Sequence, residues 1–280
     1  MDKRVHSFFS PGKPVFLLSC AALAAGLLYG SHAAAQAVTT ADQPPEAQAE
    51  APAETGRSIH INSIRNPELK SYRVMAAGLD AFDEYHALAP QARDVRFQLN
   101  AGTGAPADAM QDLALRIAGN ETSIALPLSA NGSFVLPRSA QADSEDADLI
   151  TNKKKGQYRW QASIHSDGVP ANMRRLGDLR LQCQVTIAIA KKEIPFWVRT
   201  LVGTMLRTTD WCSAKELNMG TRSDVAIASA TLLDGAQRIA LQVNNAGKTF
   251  LAPIGNTRYA DDTLIELIYL DAPGAPPASL

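Results

Sequence analysis

Ile124-Ala125-Leu126-Pro127-Leu128, followed by Asn131-Gly132, Phe134 and Pro137, returns later in the chain as Ile239-Ala240-Leu241-Gln242-Val243, followed by Ala246-Gly247, Phe250 and Pro253. One additional residue after the second glycine brings the two into step. Each copy has the pattern of an apolar strand, a small-residue turn and a second strand ending in proline. Further on, both copies reach an aspartate-led apolar segment, Asp148-Leu149-Ile150 and Asp262-Thr263-Leu264-Ile265. Self-similarity at a long offset predicts duplicated units, here two small β-modules. The matched residues are turn and core types with no reactive group, so they describe scaffold and leave the chemistry to be sought elsewhere.

Working outward, Val74 to Leu88 predicts a helix: Met75, Leu79 and Phe82 recur at helical spacing, Ala76, Ala77 and Ala81 favour the conformation, and Pro90 ends it. From Arg93 the pattern alternates. Val95, Phe97 and Leu99 predict one strand, and Leu113, Leu115 and Ile117 the next. Asn131-Gly132 reads as a hairpin turn, because both residues tolerate positive φ. Ala147 to Thr151 and Gln157 to Ile164 predict two strands with Lys153, Lys154 and Lys155 at the tip between them. Such a run either solubilises a turn and blunts a strand edge, the reading preferred here, or meets a phosphate or an acidic glycan.

Leu179, Leu181, Cys183, Val185, Ile187 and Ile189 alternate with Arg180, Gln182, Gln184, Thr186 and Ala188, which predicts a long strand with Cys183 on its core face. Pro195 to Arg207 breaks the β rhythm. Phe196, Val198, Leu201, Val202, Met205 and Leu206 would cover much of a helix, with Trp197 near its start. This connector is expected to be a helix or long loop capping the core. The sharper alternative is an exposed apolar element, led by Phe196, Trp197 and Leu201, that touches a membrane or a partner. Val225 to Leu233, Ile239 to Val243 and Leu264 to Leu270 supply the strands of the second copy.

The amino terminus has the pattern of an export leader: Lys3, Arg4 and Lys13, an apolar run from Val15 to Tyr29, then Ser31-His32-Ala33-Ala34-Ala35-Gln36-Ala37. Residues 1–35 are therefore expected to be a signal peptide and the destination the periplasm. An uncleaved anchor ranks lower because the run is short for a span of about 20 residues. A lipoprotein ranks lower because Cys20, in Leu17-Leu18-Ser19-Cys20, sits inside the apolar run. Residues 36–57, rich in Ala, Pro, Gln, Thr and Glu, predict a disordered tether. A first β-sandwich-like module with the helix is expected over 58–170. The connector and second module follow over 171–272, and 273–280 form a loose tail. With the leader removed, Cys183 and Cys212 remain. One disulfide is the simplest outcome in an oxidising compartment, and closing about 29 residues is worth about 3.6 kcal/mol in the chain-entropy model.

Formal net charge is −1 with no basic excess, which argues against general nucleic-acid binding. There is no Gly-x-Ser-x-Gly, no Gly-x-x-x-x-Gly-Lys-Ser/Thr phosphate loop, no His-Glu-x-x-His and no Cys-x-x-Cys. Past the leader only His60, His86 and His165 remain, few for zinc catalysis. Asp80, Asp83, Glu84 and His86 read as a solvated helix face rather than a metal site. Asp143, Glu145, Asp146 and Asp148, with Asp261-Asp262 in the second copy, match no defined calcium loop. No catalytic, cofactor or metal residue is assigned.

Ala130-Asn131-Gly132-Ser133-Phe134-Val135-Leu136-Pro137 resembles the turn-and-strand of carboxypeptidase-regulatory-like (transthyretin-like) β-sandwich modules, and Ala246 to Pro253 resembles it more distantly. The resemblance covers about a dozen residues per copy and implies a non-catalytic module. The expectation is thus a mainly-β exported protein of two sandwich-like modules with one N-terminal helix. It would assist envelope assembly or bind a partner, such as an envelope protein or glycan. Two alternatives stand beside it: a glycan or peptide hydrolase using paired carboxylates between the modules, and a membrane-surface-associated protein.

Overall fold

A computed structural model describes residues 65–270 apart from 103, 104, 216 and 245; the expected leader, tether and tail lie outside the described residues. β1 (Pro67–Ser71) runs directly into α1 (Tyr72–Glu84). After a single 3-10 turn come β2 (Arg96–Ala101), β3 (Leu115–Ala118), β4 (Ser123–Leu126), β5 (Ser133–Val135), the short α2 (Ala140–Ser144), β6 (Asp148–Lys154) and β7 (Tyr158–Ser163). Then β8 (Met173–Arg175) runs directly into α3 (Leu176–Glu193). It is followed by α4 (Phe196–Leu206), β9 (Met219–Arg222), β10 (Ile227–Asp234), β11 (Gln237–Leu241), β12 (Thr249–Ala252) and β13 (Leu264–Tyr269). The strands form four antiparallel sheets, β1-β6-β3-β4, β5-β2-β7, β11-β10-β13-β8 and β12-β9. The protein is mainly β, as the alternating segments predict.

The pairing of the second half follows that of the first. Leu115 lies opposite Leu126 and Ile117 opposite Ile124; Ala230 lies opposite Leu241 and Leu232 opposite Ile239. Ile117 also faces Leu149, as Leu232 faces Ile265. The first residue of α1, Tyr72, donates its N–H to Ala147 O at 2.8 Å, and the first residue of α3, Leu176, donates to Thr263 O at 2.9 Å. Phe134 pairs with Phe97 and Phe250 with Thr221. By this pairing the counterpart of Asp148 is Leu264, two positions beyond the aspartate that the sequence alignment chose.

The Asn131-Gly132 turn does not close a hairpin. β4 belongs to one sheet and β5 to another, so the turn carries the chain around a corner. Gly132 is needed there twice over: its φ is 77°, and a Cβ would lie 2.4 Å from Leu99 O. Its N–H donates to Ser129 O at 2.8 Å, and Gly247, φ 64°, donates to Asn244 O at 2.7 Å. The lysine run is likewise a corner between sheets and not a hairpin tip. Glu68, buried on β1, accepts from the N–H of Gly156 at 2.6 Å and from Trp160 Nε1–H at 3.0 Å, which pins that corner.

The alternation expected to be a strand is the 18-residue helix α3. The reason is geometric. At 100° per residue, Leu179, Cys183 and Ile187 form one i, i+4 stripe, and Leu181, Val185 and Ile189 form another on the opposite side. Two interleaved stripes read as period two. The first stripe, with Leu176, joins a core containing Ile227, Leu232, Phe250, Ile254 and Ile265. The second joins a core containing Met75, Leu79 and Phe82 of α1 with Phe97, Leu99, Ile117 and Leu149. A helix buried on two faces loses the amphipathic signature of a surface helix.

Candidate functional site

α4 is the element that the cores do not account for. Its backbone is well terminated. Pro195 O accepts from the N–H of Val198 and Arg199 at 3.0 and 3.2 Å. At the other end Thr208 N–H reaches Gly203 O and Arg207 N–H reaches Thr204 O, a Schellman closure with Arg207 in the left-handed region. Thr200 and Thr204 return their hydroxyls to the carbonyls of Phe196 and Thr200. None of its residues is buried.

The exposed side chains are the large apolar ones: Phe196 74%, Trp197 68%, Leu201 53% and Met205 76%. Trp197, Leu201 and Met205 are spaced i, i+4, i+8 and so make one stripe. The helix is not a cap on the core. Between it and the buried Trp211 lies a cavity of about 730 Å³, lined by Lys191, Arg199, Thr200, Thr204 and Arg207 among others. An isolated helix of 11 residues is marginal in water. Here its two ends are held by the chain around it, by the Cys183–Cys212 disulfide (Cα separation 5.9 Å) and by Lys191 Nζ donating to Thr209 O at 2.9 Å. The cysteine pairing expected from the sequence thus ties α3, not a strand, to the segment after α4.

The charge around α4 is one-sided. Lys191, Lys192, Arg199 and Arg207 lie on it or next to it, and no acid occurs from Ile194 to Thr209. The flanking acids are engaged elsewhere. Glu193 pairs with Lys70 at 2.9 Å, and Asp210 accepts from Cys212 N–H and Gln184 Nε2. Arg199 stacks over the Phe196 ring and Lys191 over Trp211. Met205 and Arg207 extend the surface beyond Phe196, Trp197 and Leu201, and the i+4 spacing from Trp197 was the signal available for Met205.

The remaining expectations are placed as follows. Lys153, Lys154 and Lys155 lie at the end of β6 and the turn after it, make no ion pair among the described residues, and line no pocket with α4. Asp80 and Asp83 hold Arg138, and His86 Nε2 lies 2.8 Å from Ala92 O. Asp143 and Asp146 pair with Arg73. Glu145 accepts from Glu121 N–H, Thr122 N–H and Gln141, and the Thr122 bond leads in holding its carboxyl below the usual range. Asp261 pairs with Arg180 at 2.5 Å. Among the described residues no group of three or more metal-ligand side chains converges, and no helix is long and apolar enough to cross a membrane.

Comparison of the chain with protein-family models, curated proteins and solved structures finds no match.

Proposed function

We propose that this is a non-catalytic exported envelope protein that attaches to an anionic membrane surface through α4 and, so attached, takes part in assembly or partner binding. One observation carries the reading: Phe196, Trp197, Leu201 and Met205 stand out in solvent on a helix that has basic neighbours and no acid. Apolar side chains in that number destabilise a free surface, and an aromatic–aliphatic stripe with flanking cations suits the headgroup–acyl boundary. A second copy of the chain is a poorer occupant, since it would bring Arg199 and Arg207 of each copy toward like charges. The leader supports export, and the matched topology supports reading the two halves as copies of one unit, with α4 inserted only in the second.

Flotation tests this with protein freed of residues 1–35, so that the leader's own apolar run does not bind. The protein should rise with phosphatidylglycerol vesicles and much less with phosphatidylcholine vesicles. Leu201→Asp/Met205→Asp should stay at the bottom while keeping its fold by circular dichroism. Equal behaviour of the two proteins, or a dimer by light scattering that the substitutions dissolve, would overturn the reading.

A further inference from the structure

The second feature left unexplained is a polar cleft of about 260 Å³ between the two halves of the fold. One wall is the β5-β2-β7 sheet, contributing Gln161 and Ser163, and the other is β8, the segment after β9 and the end of β13, contributing Arg174, Asp224 and Tyr269. Gln98 bridges the walls, donating from Nε2 to Asn131 O at 2.9 Å and to Asp224 Oδ2 at 3.0 Å.

Arg174 is the anomaly. It donates through one nitrogen to Ile164 O at 2.8 Å and Gln182 Oε1 at 3.3 Å, its Nε is buried with no partner, and no carboxylate pairs with it among the described residues. Asp178, the buried acid whose charge acts on it, is committed to Ser166, accepting from its N–H at 2.9 Å and its hydroxyl at 2.5 Å. Burial pushes the guanidinium below its ordinary value, against the opposing pull of Asp178 and Tyr269. Asp178 lies beyond ion-pair distance and is already bonded to Ser166, so the partly buried guanidinium is only weakly compensated, which is unfavourable unless something else supplies a counter-charge.

We propose that this cleft binds a small polyhydroxylated anion of the sugar-acid or sugar-phosphate class, with Arg174 taking the anionic group. With Nε closed off and Nη2 bonded to Ile164 O and Gln182 Oε1, the donor that meets the ligand's carboxylate or phosphate is Nη1, through a charge-assisted bond. A bare anion would leave Asp224 facing it, whereas a hydroxylated ligand gives Asp224, Gln161 and Ser163 partners. The volume admits a molecule the size of a monosaccharide. The same chemistry is found in a uronic acid and in a phosphosugar, and the test separates them. The inference does not depend on α4.

Isothermal titration of the full chain in a zwitterionic detergent uses four probes: glucuronic acid, glucose 6-phosphate, glucose and inorganic phosphate. One or both sugar anions should bind saturably at one site, at least tenfold more tightly than glucose or inorganic phosphate; which of the two binds more tightly names the source. Arg174→Gln should weaken binding at least tenfold. Should that variant fail to fold, Gln161→Glu, which places a negative charge in the cleft and can still accept from Asn100, should give the same loss. No saturable binding of either sugar anion at millimolar concentration, glucose binding as tightly, or unchanged binding in a folded variant overturns the proposal.

Discussion

Gly78 on α1 lies against Ile189 on α3 so closely that a Cβ at position 78 would stand 2.8 Å from Ile189 Cδ1. Val185 Cγ1 would be 3.2 Å away. The missing side chain sets how near the two helices approach, and through them how the two cores share α3. In an exposed helix Gly→Ala is worth up to about 1 kcal/mol in propensity. Here the overpacking opposes it, at about 1–3 kcal/mol. Gly78→Ala should therefore lose stability in urea denaturation, and Ile189→Val should restore part of the loss. Additive effects in the double variant would contradict a direct contact, since touching residues couple.

Arg207 closes α4 with φ 54°, a conformation that a non-glycine residue adopts only at a cost of about 1 kcal/mol or more. Arg207→Gly should relax that strain, and hydrogen exchange at the last turn of α4 should slow. The same change removes a cation from the surface assigned to anionic lipid. Vesicle affinity should fall even as the helix end tightens, and a parallel rise in both would count against the membrane reading.

The Cys183–Cys212 bond spans 29 residues and encloses α4. Cys183→Ala/Cys212→Ala should lower unfolding free energy by about 3.6 kcal/mol if the chain-entropy term dominates. Trypsin offers a local readout: cleavage after Arg199 or Arg207 should accelerate in the double variant well before global unfolding. Unchanged cleavage there would show that the disulfide does not hold α4.

Asp148 opens β6 opposite Ser71 and Ala118, and burial raises its carboxyl above the ordinary aspartate value. An aspartate in the unfolded chain ionises near about 3.9. Folding therefore disfavours the ionised form. The penalty is absent below the unfolded value and complete once pH has risen through the folded one. Asp148→Asn should stabilise the protein slightly at pH 7, by no more than about 0.5 kcal/mol for so partly exposed a group. The gain should vanish in melts near pH 3. A gain independent of pH would assign the effect to packing instead.

Much of this protein is legible along the chain. The period-two runs at Phe97, Ile117 and Leu149 become strands because each has one buried face, and the alternation records that face directly. Met75, Leu79 and Phe82 mark α1 because its large apolar side chains lie in one stripe, the buried residues of its other face being small alanines. The repeated phrase puts Gly132 after β4 and Gly247 after β11, both at positive φ, a conformation that glycine adopts without steric cost. The two cysteines among the described residues have one simple pairing.

Tertiary structure decided the rest. α3 hid as a strand because it has a core on each side, and two helical stripes sum to an alternation that no local pattern can tell from β. The Asn131-Gly132 turn joins different sheets because β4 is already paired with β3, the strand just before it, while β5 pairs with the more distant β2. Trp197, Leu201 and Met205 are apolar in any reading, and only the fold leaves them in solvent instead of in a core. Arg174 carries the same charge on a surface or in a cleft. What distinguishes it is that folding buries its Nε without a partner and commits Asp178, the carboxylate whose charge acts on it, to Ser166. The sequence determined which segments can form strands, turns and one of the long helices, for those follow from local periodicity and backbone sterics. Exposure of an apolar stripe and burial of an unpaired cation depend on which distant surfaces meet, so they emerge only once the chain is packed.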